Sequence, residues 1–258
     1  MSLHPKERFT GRVQDYERAR PGYPPEVLSH LARVCGLLPR HIFADIGSGT
    51  GMLSEMFLKN GNAVYGVEPN AAMRAAAERN LSGFPNFHSV NGAAEATTLP
   101  SGCADFVTAA TAFHWFDREA ARVEFARILR PGGWVVLLWN VRRVEHDDFQ
   151  RAYEDLILRF GTDYRDVKSR WGGEESLRSF FAPAEMQQAE FPIVQQLDWE
   201  GLRGRVLSAS YAPRPGDAQY GPMAARLREI FDACSAAGRV TLYYDTKMYC
   251  AQWKAAPA

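Results

Sequence analysis

Apolar positions along the chain fall into two alternating rhythms. Val27, Leu28, Leu31, Val34 and Cys35 recur at helical spacing, with Pro24 and Pro25 before them and Gly36 after. The short apolar run in HIFADIG ends at glycines and predicts a first strand. Thr50 to Lys59 predicts a helix with Met52, Leu53, Met56 and Phe57 on one face and Gly61 as its stop. NAVYGVE predicts a second strand ending on Glu68, and Asn70 suits the cap of an alanine-rich helix through Arg79. NFHSVNG predicts a third strand and ADFVTAATAF a fourth. Asp117 then caps a helix whose apolar face holds Ala121, Phe125, Ile128 and Leu129. RPGG breaks that helix, and WVVLLWN predicts a fifth strand. Strands that are apolar on both faces and alternate with helices imply an α/β fold, a parallel sheet covered on both sides.

After Asn140 the rhythm changes. VRRVEHDD is charged, and Phe149, Ala152, Tyr153, Leu156, Ile157 and Phe160 then mark an amphipathic helix. A polar stretch containing Trp171 runs to about Glu185 with no element assigned, and FPIVQQLDW predicts a sixth strand. Met223, Leu227, Ile230, Phe231 and Cys234 mark a further helix, and RVTLYYDTKMYCAQW alternates as a final strand. The expected organisation is a core with an N-terminal lid over 1–140, a helical insertion or cap over 141–187, and completion of the same sheet over 188–258.

Composition narrows the partners. Thirty Lys+Arg balance thirty Asp+Glu, so no net field draws the chain to nucleic acid or anionic lipid. Cys35, Cys103, Cys234 and Cys250 lie far apart without CxxC spacing, and the histidines show no HxxxH pairing, so no metal site is expected. The polar start lacks a signal-peptide core, and no apolar run reaches membrane-spanning length. The expectation is a cytoplasmic protein acting on something small, with its oligomeric state left open.

The chemistry concentrates at DIGSGTG, where Gly47, Gly49 and Gly51 alternate directly after the first strand. Such a turn lets backbone approach a ligand closely. A mononucleotide phosphate loop would need GxxxxGK[ST], but Met52 and Leu53 follow Gly51. A dinucleotide fingerprint would need GxGxxG, and here Met52 stands where the third glycine belongs. DIGSGTG instead matches the first motif of class I S-adenosylmethionine-dependent methyltransferases. VYGVEPN resembles that family's second motif and NGAAEATTLP its third-strand motif. AFHWFD followed by RILRPGGWVVLLWN, together with YERARPGYP, is similar to its small-molecule branch, the type 11 domain that includes trans-aconitate-type and quinone-biosynthesis-type enzymes. The resemblance covers Tyr16 to Asn140 well and the rest loosely.

It implies a Rossmann-like doubly wound sheet of seven strands, mostly parallel with the last antiparallel. It also implies S-adenosylmethionine as methyl donor, S-adenosylhomocysteine as product, and a small-molecule acceptor. Asp45 is expected to accept from the methionine ammonium or to organise the loop, with Gly47, Ser48, Gly49 and Gly51 giving close approach. Glu68 is expected to accept from the ribose hydroxyls. Pro69 and Met73 would pack against the adenine, although Met73 equally suits helix-face core. Relatives carry an Asp where this chain has Ala93, so adenine recognition falls to Ala94 backbone and to Glu95. Thr111, Phe113 and His114 are expected to face the methyl group, with His114 the candidate general base, while Trp115 and Phe116 pack under the next helix. Tyr16 and Tyr23 would cover the donor, and Arg20 would pair with the methionine carboxylate or an anionic acceptor. Tyr211, Arg214 and Trp171 are candidates for acceptor choice. Arg142, Arg143, Arg203 and Arg205 suggest an anionic acceptor, or a solvated surface. Two alternatives stay open: a nicotinamide-dinucleotide oxidoreductase, and a non-catalytic S-adenosylmethionine-binding protein.

Overall fold

The computed structural model describes residues 11–170 and 172–254, so Trp171 lies outside the described residues. Its strands are β1 (Ile42–Ile46), β2 (Ala63–Val67), β3 (Phe87–Val90), β4 (Ala104–Ala110), β5 (Leu129–Arg142), β6 (Gln187–Leu197) and β7 (Val240–Gln252). They form one seven-stranded sheet in the order β3-β2-β1-β4-β5-β7-β6. β1 to β5 pair in parallel, whereas β7 is antiparallel to both β5 and β6. The sheet is therefore Rossmann-like and mostly parallel, with the last strand of the chain reversed.

Period-two alternation assigns side chains to the two faces. In β5, Val135, Leu137 and Trp139 join one core cluster while Val136 and Leu138 join another. In β7, Tyr249 and Ala251 oppose Met248 and Cys250 in the same way. The helices α2 (Glu26–Cys35) and α3 (Met52–Lys59) cover one face. There Phe43 stacks between Phe57, at 3.8 Å, and Phe106, at 4.8 Å. The helices α5 (Arg118–Ile128) and α8 (Gly173–Phe181) cover the other through Phe125, Phe180 and Phe181. Each such buried side chain stabilises the fold by about 1.5–3 kcal/mol, so the ends of the central strands are firmly held.

The chain between β2 and β3 forms α4 (Ala71–Asn80), and Asn70 caps it by accepting from the amides of Ala72 and Met73. Asp117 caps α5 by accepting from Ala120 N–H. Four further helices are α6 (Asp148–Phe160), α7 (Tyr164–Ser169), α9 (Trp199–Leu207) and α10 (Tyr220–Cys234). Of these, α6, α9 and α10 share a core with Leu242 and Tyr244 of β7. The cap thus draws helices from both sides of β6, whereas α8, inside 141–187, packs on the sheet. The N-terminal helix α1 (Val13–Ala19) lies against α9. Among the described residues, no helix is long and apolar enough to cross a membrane.

Candidate active site

β1 lies between β2 and β4, so the connections leaving their carboxyl ends diverge to opposite faces and open a crevice at that edge. Register places the ends together, with Ile46 beside Val67 and Val67 beside Val90. The glycine loop fills the start of the crevice. Gly47, Gly49 and Gly51 have φ of +67°, +58° and +85°, a region that side chains with a Cβ avoid. Space is a second constraint. A Cβ on Gly47 would lie 2.6 Å from Ala112 Cβ, and one on Gly51 would lie 2.6 Å from Leu81 Cδ1. A Cβ on Gly49 would meet nothing within 4 Å, which fits its place on the open side of the loop.

Two cavities meet above this loop. The larger, of about 370 Å³, is lined by Gly47, Gly49, Glu68, Pro69, Met73, Ala94, Glu95, Thr111 and Tyr16, a size typical of small-molecule sites. The smaller, of about 40 Å³, is lined by Asp45, Ser48, Arg20 and Tyr23, and shares Tyr16, Gly47 and Thr111 with the larger. Of the residues expected at the donor or its methyl group, three line neither cavity. Gly51 packs towards Leu81. Phe113 is fully buried among Phe116, Trp139 and Phe180. His114 is half-buried beside the Trp115 ring. The reason is local: Phe113–Trp115 forms a 3₁₀ turn, so strand alternation does not continue past Ala110 and the side chains rotate out of phase. Trp115 and Phe116, expected under the helix, both line the larger cavity, and Phe116 also packs edge-on against Phe125 of α5. Tyr211 lies in the cap with its ring 4.7 Å from that of Tyr164, and Arg214 lies beside Gly11.

Burial tunes the polar groups. Asp45 is 1% exposed and accepts from Ser54 Oγ at 2.7 Å and Thr108 Oγ1 at 3.0 Å. Desolvation outweighs those bonds and pushes its carboxyl up to about 6. Glu68 accepts from Gly49 N–H at 3.0 Å through one oxygen and from Asn70 N–H at 2.8 Å through the other. Its pKa is also raised by burial, against the pull of those two amides. Thr111 takes φ +54°, unusual for a β-branched residue, and its hydroxyl bonds Tyr23. Burial raises the Tyr23 phenol, so it stays protonated. Ala93 and Ala96 exchange both backbone hydrogen bonds, which turns the segment carrying Ala94 and Glu95 towards the larger cavity. Glu95 accepts from Asp117 N–H at 2.9 Å, tying that turn to the start of α5.

The profile of the family described as "Methyltransferase domain" matches residues 44–137, the part of the chain that builds this crevice. An uncharacterized methyltransferase-like protein of Schizosaccharomyces pombe is 31% identical over 227 residues, covering 86% of this chain and 85% of its own. The chain belongs to the class I S-adenosylmethionine-dependent methyltransferase family. An uncharacterized methyltransferase of Mycobacterium tuberculosis is 36% identical over 158 residues, and the match spans 61% of this chain and 62% of that relative's length. The fold is shared with a protein of Anaeromyxobacter dehalogenans described as a candidate type II methyltransferase (TM-score 0.66, 22% identity, 90% of this chain and 97% of that one). It is also shared with the Haemonchus contortus Phospholethanolamine N-methyltransferase 2, solved with phosphomonomethylethanolamine and S-adenosylhomocysteine (TM-score 0.56, 16% identity, 98% of this chain and 59% of that one).

In this methyltransferase the glycine-loop amides are largely occupied within the protein. Gly47 and Ser48 N–H both donate to Val67 carbonyl, Gly49 N–H to Glu68, and Gly51 N–H to Ser48 carbonyl. A dinucleotide pyrophosphate would need such amides, so the loop is poorly suited to NAD. Sequence reasoning missed Asn140 as a lining residue of the smaller cavity, and it named Arg205 only among four arginines suggesting an anionic acceptor or a solvated surface. Asn140 closes the fifth strand's apolar run, a position at the sheet's carboxyl edge that could have signalled it. Arg205 carries no such mark.

Proposed function

We propose that the protein transfers the methyl group of S-adenosylmethionine to a small-molecule acceptor at the junction of the two cavities. The observation that carries this reading is the division of polar groups between them. The larger cavity offers Glu68, a buried carboxylate fixed by two amides, to a pair of ribose hydroxyls. Met73, Pro69 and the aromatic Trp115 and Phe116 surround the space left for a base. The smaller cavity sets a carboxylate, Asp45, and a guanidinium, Arg20, on its walls, which matches the ammonium and carboxylate of an amino-acid end. Arg20 Nε is buried without a hydrogen-bond partner among the described residues, as expected of a group awaiting an anion.

When bound, S-adenosylmethionine supplies a methyl group already activated by its sulfonium. The protein's share is then to hold the reactants in line and keep water out. Tyr16 and Thr111 line both cavities, and the Thr111 hydroxyl bonds Tyr23 on the wall of the smaller one. His114, off both walls, takes no part as base in this reading. Asp45 is the ionisable group nearest the ordinary pH range there, and its bonds to Ser54 and Thr108 hold it as a binding group.

Calorimetry of S-adenosylmethionine, S-adenosylhomocysteine and NAD on wild type and Glu68→Ala tests the reading. Expected is binding of the first two and none of NAD, with the variant weaker by about 30- to 100-fold, the value of about one hydrogen bond to a charged acceptor. NAD binding alone would overturn it. Binding without methyl transfer to any of a broad panel of small acids, phenols and amines would favour a non-catalytic role.

A further inference from the structure

We propose that Cys35 and Cys250 form a redox-responsive thiol pair, which hydrogen peroxide converts to a disulfide that staples α2 to β7. Neither thiol lines either cavity, so this chemistry is separate from that of the donor site.

Two periodicities bring the sulfurs together. On α2, Val27, Leu31 and Cys35 recur at helical spacing and are all buried, so they share the face turned to the sheet. On β7, Met248 and Cys250 lie two residues apart on the sheet face that α2 covers. The helix stripe and the strand stripe meet in one core with Leu37, Val136 and Leu138. There the two thiols share a hydrogen bond. The other cysteines are half-buried and pack against two different cores, Cys103 ahead of β4 and Cys234 at the end of α10. No group of three His, Cys, Asp or Glu able to hold a metal occurs among the described residues, which leaves the chemistry to the two sulfurs.

Packing alone would be served by a small apolar residue at either position. Two thiols in contact add a reaction. The hydrogen bond that Cys35 donates to the Cys250 sulfur favours ionisation of Cys250 over that of Cys35. The Cys250 thiolate attacks one oxygen of the peroxide. An S–O bond forms, the O–O bond breaks, and the departing hydroxide takes the Cys35 proton to become water. Cys35, now a thiolate, attacks the Cys250 sulfenic sulfur. The S–S bond forms, the S–O bond breaks, and the second hydroxide leaves as water with the proton that Cys250 first lost. Two thiols are oxidised and one peroxide is reduced to two waters. Access gates the reaction. Cys250 is fully buried, whereas Cys35 retains 9% exposure as the last residue of α2, where Gly36 ends the helix in the left-handed region. A helix end opens more readily than a strand inside a sheet, so peroxide enters when that turn frays. A crosslink between positions so far apart closes most of the chain into one loop and strongly restrains the unfolded state.

The test treats the reduced full chain with hydrogen peroxide, counts its thiols in denaturant, and follows with intact mass and non-reduced peptide mapping. Expected is a fall from four free thiols to two, a chain lighter by two hydrogens, and a Cys35–Cys250 crosslink that dithiothreitol reverses. The oxidised Tm should lie several degrees above the reduced one. A double variant, Cys103→Ser with Cys234→Ser, should still lose both of its thiols, and Cys35→Ala should form no disulfide within the chain. Should Cys35→Ala not fold, the double variant decides, because it carries no other thiol. The proposal is overturned if the folded chain keeps its four thiols, or if oxidation adds oxygen to either sulfur without joining them. A crosslink through Cys103 or Cys234, a crosslink between two chains, or a lower oxidised Tm would overturn it as well.

Discussion

Asp45 is a residue kept against its own stability. Its carboxyl is raised from 3.8 to about 6 by burial. Between those values the folded state holds a proton that the unfolded chain has lost, so stability falls as pH rises through that window and stays low above it. Two units correspond to about 3 kcal/mol. Binding has the opposite slope, because a methionine ammonium wants the ionised form. Asp45→Asn, which can still bond the Ser54 and Thr108 hydroxyls, removes the titration. Its Tm minus that of wild type should therefore grow by several degrees from pH 4 to pH 7. Wild-type affinity for S-adenosylhomocysteine should weaken about tenfold per unit below pH 6, and the variant's affinity should be weak and flat. Thermal scans and calorimetry across that range check both, and parallel curves for the two proteins would count against a charged Asp45 at the site. Glu68 differs in kind: two backbone amides hold its oxygens, so in the proposed reading its role is geometric, a carboxylate already aimed at the ribose.

At the scale of elements, the glycine loop is where local sequence rules and packing coincide. Gly47→Ala would force an alanine into φ +67° and drive its Cβ against Ala112. About 1–3 kcal/mol of overpacking plus about 1–2 kcal/mol of backbone strain should appear in urea unfolding. Adding Ala112→Gly should return the overpacking part and leave the strain, a coupling of about 1–2 kcal/mol in the double-mutant cycle. Strict additivity would mean the loop relaxes elsewhere. This loop, the caps at Asn70 and Asp117, and strands β1, β2 and β4 were readable because each depends on neighbours in sequence. Elements that depend on distant partners were not. α9 reads WEGLRGRVL, whose two glycines disfavour a helix; Asp198 caps it and Leu202 and Val206 bury against the cap core. α8 offers only Leu177, Phe180 and Phe181 in a polar stretch, too short a stripe to stand out. RPGG reads as a breaker, yet it lies within β5, where Leu129 already pairs with Ala104 before a register shift. The start of β6 is polar because it is an edge strand. Arg205 was one of four arginines named together, and only the fold placed it, alone of the four, on the smaller cavity.

Across the whole molecule, the segment before the sheet is stapled over the site by side chains reaching backbone carbonyls. Arg12 donates to the carbonyls of Leu207 at 2.7 Å and Ala212 at 2.6 Å. Gln195 donates to Ala19 carbonyl, and Asn140 donates to Gly22 carbonyl while accepting from Thr246. Helix α1 is thereby joined to α9, so Tyr16 and Arg20 on one side and Arg205 on the other form a single roof. Such a roof must open for a product as large as S-adenosylhomocysteine to leave. Arg12 is 5% exposed and reaches the cap at the opposite end of α1 from Arg20, which makes it a staple that does not touch the cavities. Arg12→Gln shortens the side chain and removes its charge. The loss of two charge-assisted bonds, each about 1.5–3 kcal/mol, is partly recovered by water at the carbonyls. Net loosening of the closed roof by about 2 kcal/mol should raise amide exchange across Val13–Ala19 roughly thirtyfold, with β1 and β4 still protected. Affinity for S-adenosylhomocysteine should fall by much less, because the closed form stays in the majority, while its dissociation should quicken because release passes through the open roof. Unchanged exchange in α1, or exchange rising equally throughout the sheet, would mean that the segment is a fixed part of the core and that the product leaves by another route.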